Sequence, residues 1–215
     1  MIIDHIFIFS DEVGNEADEL ANFGLIEGSS RVHKGQGTAN RKFYFKNFFL
    51  EVLWVANQEE ISSKSMQSTK LFERSDFQNN GASSFGLCLV NEPSSDQVFE
   101  NSYQYKPVYF PPNMPIEVVT NNDYHSLPWT FRLPFKGVTE NTNEPTEHSR
   151  PINRLTKAIF QYEILEGSQS FTEHFDGEEQ IEYIQSDKNH LILEFDDLKE
   201  KRTKHFDSLP LTIKY

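Results

Sequence analysis

A histidine and a glutamate stand inside largely apolar segments of this 215-residue chain. His5 sits within Ile2-Ile3-Asp4-His5-Ile6-Phe7-Ile8-Phe9, and Glu51 within Phe48-Phe49-Leu50-Glu51-Val52-Leu53-Trp54-Val55. A buried, unpaired carboxylate costs on the order of several kcal/mol, so Glu51 is expected to be paired, protonated or bound to a cation. Arg41 or Lys42 could supply the partner across a hairpin. His5 reads equally as a core histidine bonded to backbone. Between them, His33 to Arg41 carries Gly35, Gly37, Thr38 and Asn40. That stretch either builds a rigid turn or, through its amides with Asn40 and Arg41, holds an anionic or carbonyl ligand. Further along, Trp129 and Phe131 could form a pocket wall, with Arg132 on the opposite face by alternation. Tyr103, Tyr105, Tyr109 and Phe110, set among prolines, could close a lid or pack a long loop.

The elements that must position these residues follow from pattern. Ile2 to Phe9 reads as a strand. Ser10-Asp11 offers a helix cap, Val13, Ala17, Leu20 and Ala21 recur at helical spacing, and Gly24 stops the helix. Leu25–Val32, Ala39–Lys46 and Phe48–Val55 read as three more strands. Phe49, Glu51, Leu53 and Val55 share one face of the last, and Ile3, His5, Phe7 and Phe9 share one face of the first. Asn57 to Asn80 looks helical, with Leu71, Phe72 and Phe77 able to dock it. Ser84–Val90, Pro115–Thr120 and Thr130–Leu133 are strand-like around an irregular stretch, Asn91 to Asn113. Lys136 to Pro151 reads as an exposed loop or linker. The opening order then recurs: a strand at Leu155–Leu165, a short helix at Ser168–Phe175, and strands at Gln180–Gln185, His190–Phe195 and Leu209–Tyr215.

The expected fold is therefore α+β, with paired βαβββ modules forming a curved, largely antiparallel sheet cup and an irregular insertion between them. The expected division is 1–56 for the first module, 57–151 for the connecting helix, extra strands and loops, and 152–215 for the second module, in one compact unit. The totals bound the function. A net charge of −13 without a basic stripe argues against nucleic acid as a partner. No apolar run is long enough to cross a bilayer, and no signal-peptide pattern opens the chain. Cys88, the single cysteine, lies in an apolar run and reads as an inert thiol. A reducing cytoplasm is the expected location.

Asp4-His5 at the start of the first strand, the turn from His33 to Arg41, and Leu50-Glu51-Val52-Leu53-Trp54-Val55 resemble the glyoxalase-like branch of the vicinal oxygen chelate superfamily. That superfamily also holds glyoxalase I, extradiol dioxygenases and bleomycin-resistance proteins. The resemblance covers residues 1–55, with further likeness at Ala82–Gly86 and Arg154–Thr156. It implies that His5 and Glu51 are two ligands of a divalent metal (Zn, Mn, Ni or Fe), in a lyase, isomerase or dioxygenase acting on a substrate with adjacent oxygens. His33, Asn40, Arg41, Phe49 and Trp129 are the expected small-molecule contacts. The second half departs from the pattern. Thr156 and Lys157 are poor ligands, the last strand carries no carboxylate, and Ser84–Leu87 as the equivalent strand supplies no histidine. The alternative is a metal-free protein that binds or sequesters a small molecule in the manner of the resistance proteins. With both modules in one chain, a monomer could complete the cup; a homodimer is the other expectation.

Overall fold

The computed structural model describes residues 1–111, 113–137 and 143–215. The first module folds as expected: β1 (Ile3–Phe9), α1 (Ala17–Phe23), β2 (Arg31–His33), β3 (Thr38–Phe45) and β4 (Phe48–Val55). The helix starts later than the apolar spacing suggests, because Val13 adopts a positive φ of 58° and points outward. Ser10 Oγ accepts the Gly14 amide at 2.7 Å instead of capping a helix, and donates to Glu16. Gly24 ends α1 at φ 115°, where a side chain would be strained. The second strand is shorter than expected.

The stretch expected as one helix, 57–80, is broken into α2 (Gln58–Ile61), α3 (Leu71–Ser75) and α4 (Phe77–Asn80), with a 3-10 turn at Gln67–Thr69. Leu71 is its buried anchor, while Phe72 stays exposed. Next come β5 (Phe85–Leu89), a 3-10 segment at Pro93–Phe99, β6 (Tyr103–Tyr105), β7 (Ile116–Val119) and β8 (Trp129–Arg132). The last part holds β9 (Leu155–Glu163), α5 (Gln169–Thr172), β10 (Ile181–Ser186), β11 (His190–Phe195), β12 (Thr203–His205) and β13 (Leu211–Lys214). Of the expected loop 136–151, residues 138–142 lie outside the described residues.

Among the described residues, one sheet of eight strands curls into a half-barrel in the order β2-β3-β4-β1-β5-β8-β7-β6. Its two halves mirror each other. β1 pairs parallel with β4, β5 pairs parallel with β8, and β1 meets β5 antiparallel at the centre. The strands that complete the cup thus come from residues 85–132, within the stretch expected to connect two modules. The 3-10 segment at 93–99 stands where the first half has α1. Residues 155–214 repeat the element order but not the pairing. There β9 pairs in parallel with β10, its immediate successor, in a separate five-stranded sheet ordered β10-β9-β11-β13-β12.

Alternation along the strands separates two buried clusters. Ile6, Ile8, Leu50, Val52 and Phe85 on the outer face of the large sheet join Leu191, Leu193 and Leu211 of the smaller one. Phe7, Phe9, Leu53, Cys88, Trp129 and Phe131 line the inner face. Both faces of the central strands are thereby covered, which explains their near-continuous apolar sequence. No helix among the described residues is long and apolar enough to cross a membrane.

Candidate functional site

The inner face of the curled sheet encloses a cavity of about 210 Å³. That is below the 300–1,000 Å³ range common for drug-sized ligands and suits a single-ring compound. Its two walls differ in chemistry. The first module contributes the polar wall: Arg31 and His33 from β2, Asn40 and Lys42 from β3, Glu51 from β4 and His5 from β1. The opposite wall is apolar and aromatic, built from Tyr105, Ile116, Trp129, Phe131 and Leu133, with Leu71 from α3.

Strand register explains the polar cluster. Arg31 lies opposite Asn40 and Lys42 opposite Glu51, so all four face inward. Glu51 is 5% exposed, and its charge is met locally. The Asn40 amide donates to Oε1, and His5 Nε2 stands 3.8 Å from Oε2. The other imidazole nitrogen, His5 Nδ1, is hydrogen-bonded to Asp4 Oδ1 at 2.6 Å. The ring lies flat on Phe49, with centroids 4.3 Å apart, and edge-on to Phe131. The Asp4 hydrogen bond and the Phe49 stack therefore hold the imidazole in one orientation, with Glu51 close by on its other side.

His33 bonds through Nδ1 to Thr38 Oγ1 at 2.9 Å. Burial pulls its pKa below the usual histidine value; Glu51 opposes this, and Arg31 and Lys42 add to it. It therefore presents a neutral ring near pH 7. The turn after it is structural at its glycines. At Gly37, φ is +81° and a Cβ would lie 2.5 Å from the Asn57 carbonyl, so only glycine fits. The tyrosine-rich segment around Tyr109 packs over the cavity. Tyr105, Tyr109 and Phe110 line the cavity, and Tyr109 Oη donates to Gln36 Oε1 at 2.9 Å, tying the segment to the β2–β3 turn. Burial raises the Tyr109 phenol well above its ordinary range, which keeps it a neutral donor. Tyr103 stays exposed on the sheet edge.

Of the expected contacts, His5, Glu51, His33, Asn40, Phe49 and Trp129 converge on this cavity. Arg41 does not. It projects to the other face of β3, where it binds Glu27 at 2.7 and 2.9 Å and Asp18 at 2.8 Å. Adjacent strand residues cannot share a face, so Asn40 and Arg41 could not both point inward. Arg132 likewise faces away from Trp129, bonded to Glu117 and Asp96. Arg31, Lys42 and Gln36 are cavity residues that the sequence reading did not single out as contacts; stepping by two from Asn40 would have reached Lys42.

A metal bridging the two halves needs donors from both. Across from His5 and Glu51, the mirrored strands offer Gly86 and Cys88 on β5 and Trp129 and Phe131 on β8. Trp129 Nε1 is spent on the Thr69 carbonyl at 2.7 Å. Asp4, His5 and Cys88 do place candidate ligand atoms within 4.8 Å of one another. There, Asp4 already occupies His5 Nδ1, and Cys88 is the donor that the mirrored half adds, buried at 1% exposure. This donor set does not fit a four-ligand divalent site.

Comparison with known proteins agrees with this architecture. Residues 3–99 match the family model described as a glyoxalase-like domain, which belongs to the vicinal oxygen chelate superfamily. The matched stretch covers the first module and β5, the strand that begins the second half of the cup. Among solved structures, a hypothetical protein from Staphylococcus aureus is similar at a TM-score of 0.56 and 10% identity, over 100% of this chain and 99% of that one. At that identity the likeness is one of fold. No curated protein matches the chain.

Proposed function

We propose that this chain, which carries a glyoxalase-like domain of the vicinal oxygen chelate superfamily over residues 3–99, is a small-molecule binding protein. Its ligand is a planar, single-ring compound held without a bridging metal. The observation that carries this reading is the two-walled cavity, with aromatic side chains on one side and hydrogen-bonding groups on the other. Apolar walls with a few converging polar groups are what a compact organic ligand needs for affinity and orientation. The lyase, isomerase or dioxygenase readings of the superfamily each call for a metal polarising two substrate oxygens. In support, the mirrored half presents glycine, tryptophan and phenylalanine, with Cys88 alone as a further donor, where a bridging metal would need several.

The test is a fluorescence titration with benzyl alcohol and benzoate on protein whose metal content has been measured. Trp129 lines the cavity, so ring binding should change its emission, and Trp129→Phe should remove the response. Trp54, the other tryptophan, packs against Gly14 and serves as the silent reference. Saturable binding with metal well below one equivalent is the expected result. Stoichiometric metal that disappears in His5→Ala would refute the metal-free reading. A flat titration for every ring compound would refute small-ring binding.

A further inference from the structure

The charges on the polar wall point to the class of ligand. Most buried or half-buried cations in this chain have carboxylate partners: Arg41 has Glu27 and Asp18, Arg132 has Glu117 and Asp96, Lys157 has Glu182, and Lys204 has Glu19. Arg74 is met by backbone carbonyls instead; Arg31, an exposed residue that lines the cavity, and Lys42, half-buried, differ from both. Neither has a carboxylate within 4 Å among the described residues, although acids outnumber bases by 13. Both rest on ring faces instead. The Arg31 guanidinium carbon lies 4.9 Å above the Tyr109 ring, and Lys42 Nζ lies 5.4 Å from the Tyr44 centroid and 5.6 Å from that of Phe49. Such contacts hold a cation in place without neutralising it. Two carboxylates stand near without an ion pair to either cation: Glu51, opposite Lys42 in the ladder and bonded to the Asn40 amide, and Glu144, whose pKa, against the effect of burial, is lowered by its bonds to Ser29 and partly by Lys42. His33, the remaining group on this wall, is held neutral by burial.

We propose that the cup selects a small aromatic anion, with a carboxylate or similar oxyanion set against Arg31 and Lys42 and its ring against Trp129 and Phe131. The inference rests on the small-molecule reading above and adds the sign of the ligand's charge. Arg31 and Lys42 sit on adjacent strands, diagonal across the β2–β3 ladder because Arg31 is opposite Asn40. A planar oxyanion placed between them would gain two charge-assisted contacts from one wall. The net charge of −13 repels an approaching anion, so selectivity must arise from contacts inside the cup rather than from long-range steering.

Three isosteric rings separate the outcomes in wild-type protein: benzoate, neutral benzamide and the benzylammonium cation, titrated at pH 7 by Trp129 emission. Benzoate should bind at least about tenfold more tightly than benzamide, and benzylammonium more weakly than either. Lys42→Met and Arg31→Met should each narrow the benzoate-to-benzamide ratio by about tenfold. Unfolding curves for both variants check that the fold is retained. Equal binding of benzamide and benzoate, or tighter binding of benzylammonium, would overturn the anion proposal while leaving small-ring binding intact. Failure of all three rings to bind would overturn the small-molecule reading itself.

Discussion

Replacing Arg74 with methionine should lower the unfolding free energy by about 3–5 kcal/mol, the largest single-site loss expected outside the apolar core. Arg74 extends from α3 and is 2% exposed. Its guanidinium donates to four backbone carbonyls of the β7–β8 connection: His125 and Leu127 at 2.6 Å, Thr120 at 2.6 Å, and Asn121 at 3.0 Å. No carboxylate shares the site among the described residues, and burial pulls the guanidinium down to about 9. The cation is tolerated because its fork fills the hydrogen-bonding needs of a buried loop. Methionine matches the volume but leaves those carbonyls without donors. Lysine would satisfy only part of the set, because a single ammonium cannot reach carbonyls spread around a planar fork. For a chain of this length the methionine variant should melt about 6–20 °C lower, with lysine in between. Thermal unfolding followed by circular dichroism measures this directly. A shift within about 2 °C would show that the loop does not depend on Arg74. Because the same loop leads into Trp129, its emission should also become less dependent on ligand in the methionine variant.

The second large effect concerns the floor of the cup. Gly86 lies on β5, and a Cβ there would fall 2.0–2.4 Å from the Phe7 ring. The backbone at Gly86 is not in the left-handed region, so the obstacle is the ring alone. Phe7 packs against Phe9, Trp129 and Phe131, which block retreat along the sheet. In Gly86→Val the ring must therefore swing into the cavity. Overpacking of this kind costs about 1–3 kcal/mol, so the fold should survive. The cavity should not. Affinity for benzoate should fall about a hundredfold, equivalent to about 2.7 kcal/mol. A calorimetric titration of the folded variant decides the matter. Unchanged affinity would mean that ring compounds bind somewhere other than this floor.

How much of this was legible in the sequence depended on the range of the interaction. The first module could be read strand by strand, because alternation, Gly24 and the Gly35–Gly37 turn are local signals. Glu51 stood out because it is the one carboxylate in the middle of Phe48–Val55. Its real partners, Asn40 and His5, depend on hairpin register and on the parallel pairing of β1 with β4, which no local pattern encodes. Arg41 was the natural guess for an anion contact by residue type, yet its position beside Asn40 places it on the opposite face. The second half of the cup was harder. Its strands were visible at 84–90, 115–120 and 130–133, but their membership in the first sheet rests on the central β1–β5 pairing. Residues 155–215 offered a decoy, with the same order of elements. What distinguishes them is that β9 pairs with the strand immediately after its helix, whereas β1 waits for β4. Pairings separated by long stretches of chain are set by packing of the whole sheet rather than by propensity.

The most direct test of the account is a crystal of the protein grown with 4-iodobenzoate and measured for anomalous scattering. The expected map has a single strong iodine peak inside the curled sheet beside Trp129, Phe131 and Leu133, with carboxylate density toward Arg31 and Lys42. An iodine peak confined to the outer face or to the smaller sheet, with the space between Glu51 and Trp129 filled by water alone, would contradict it.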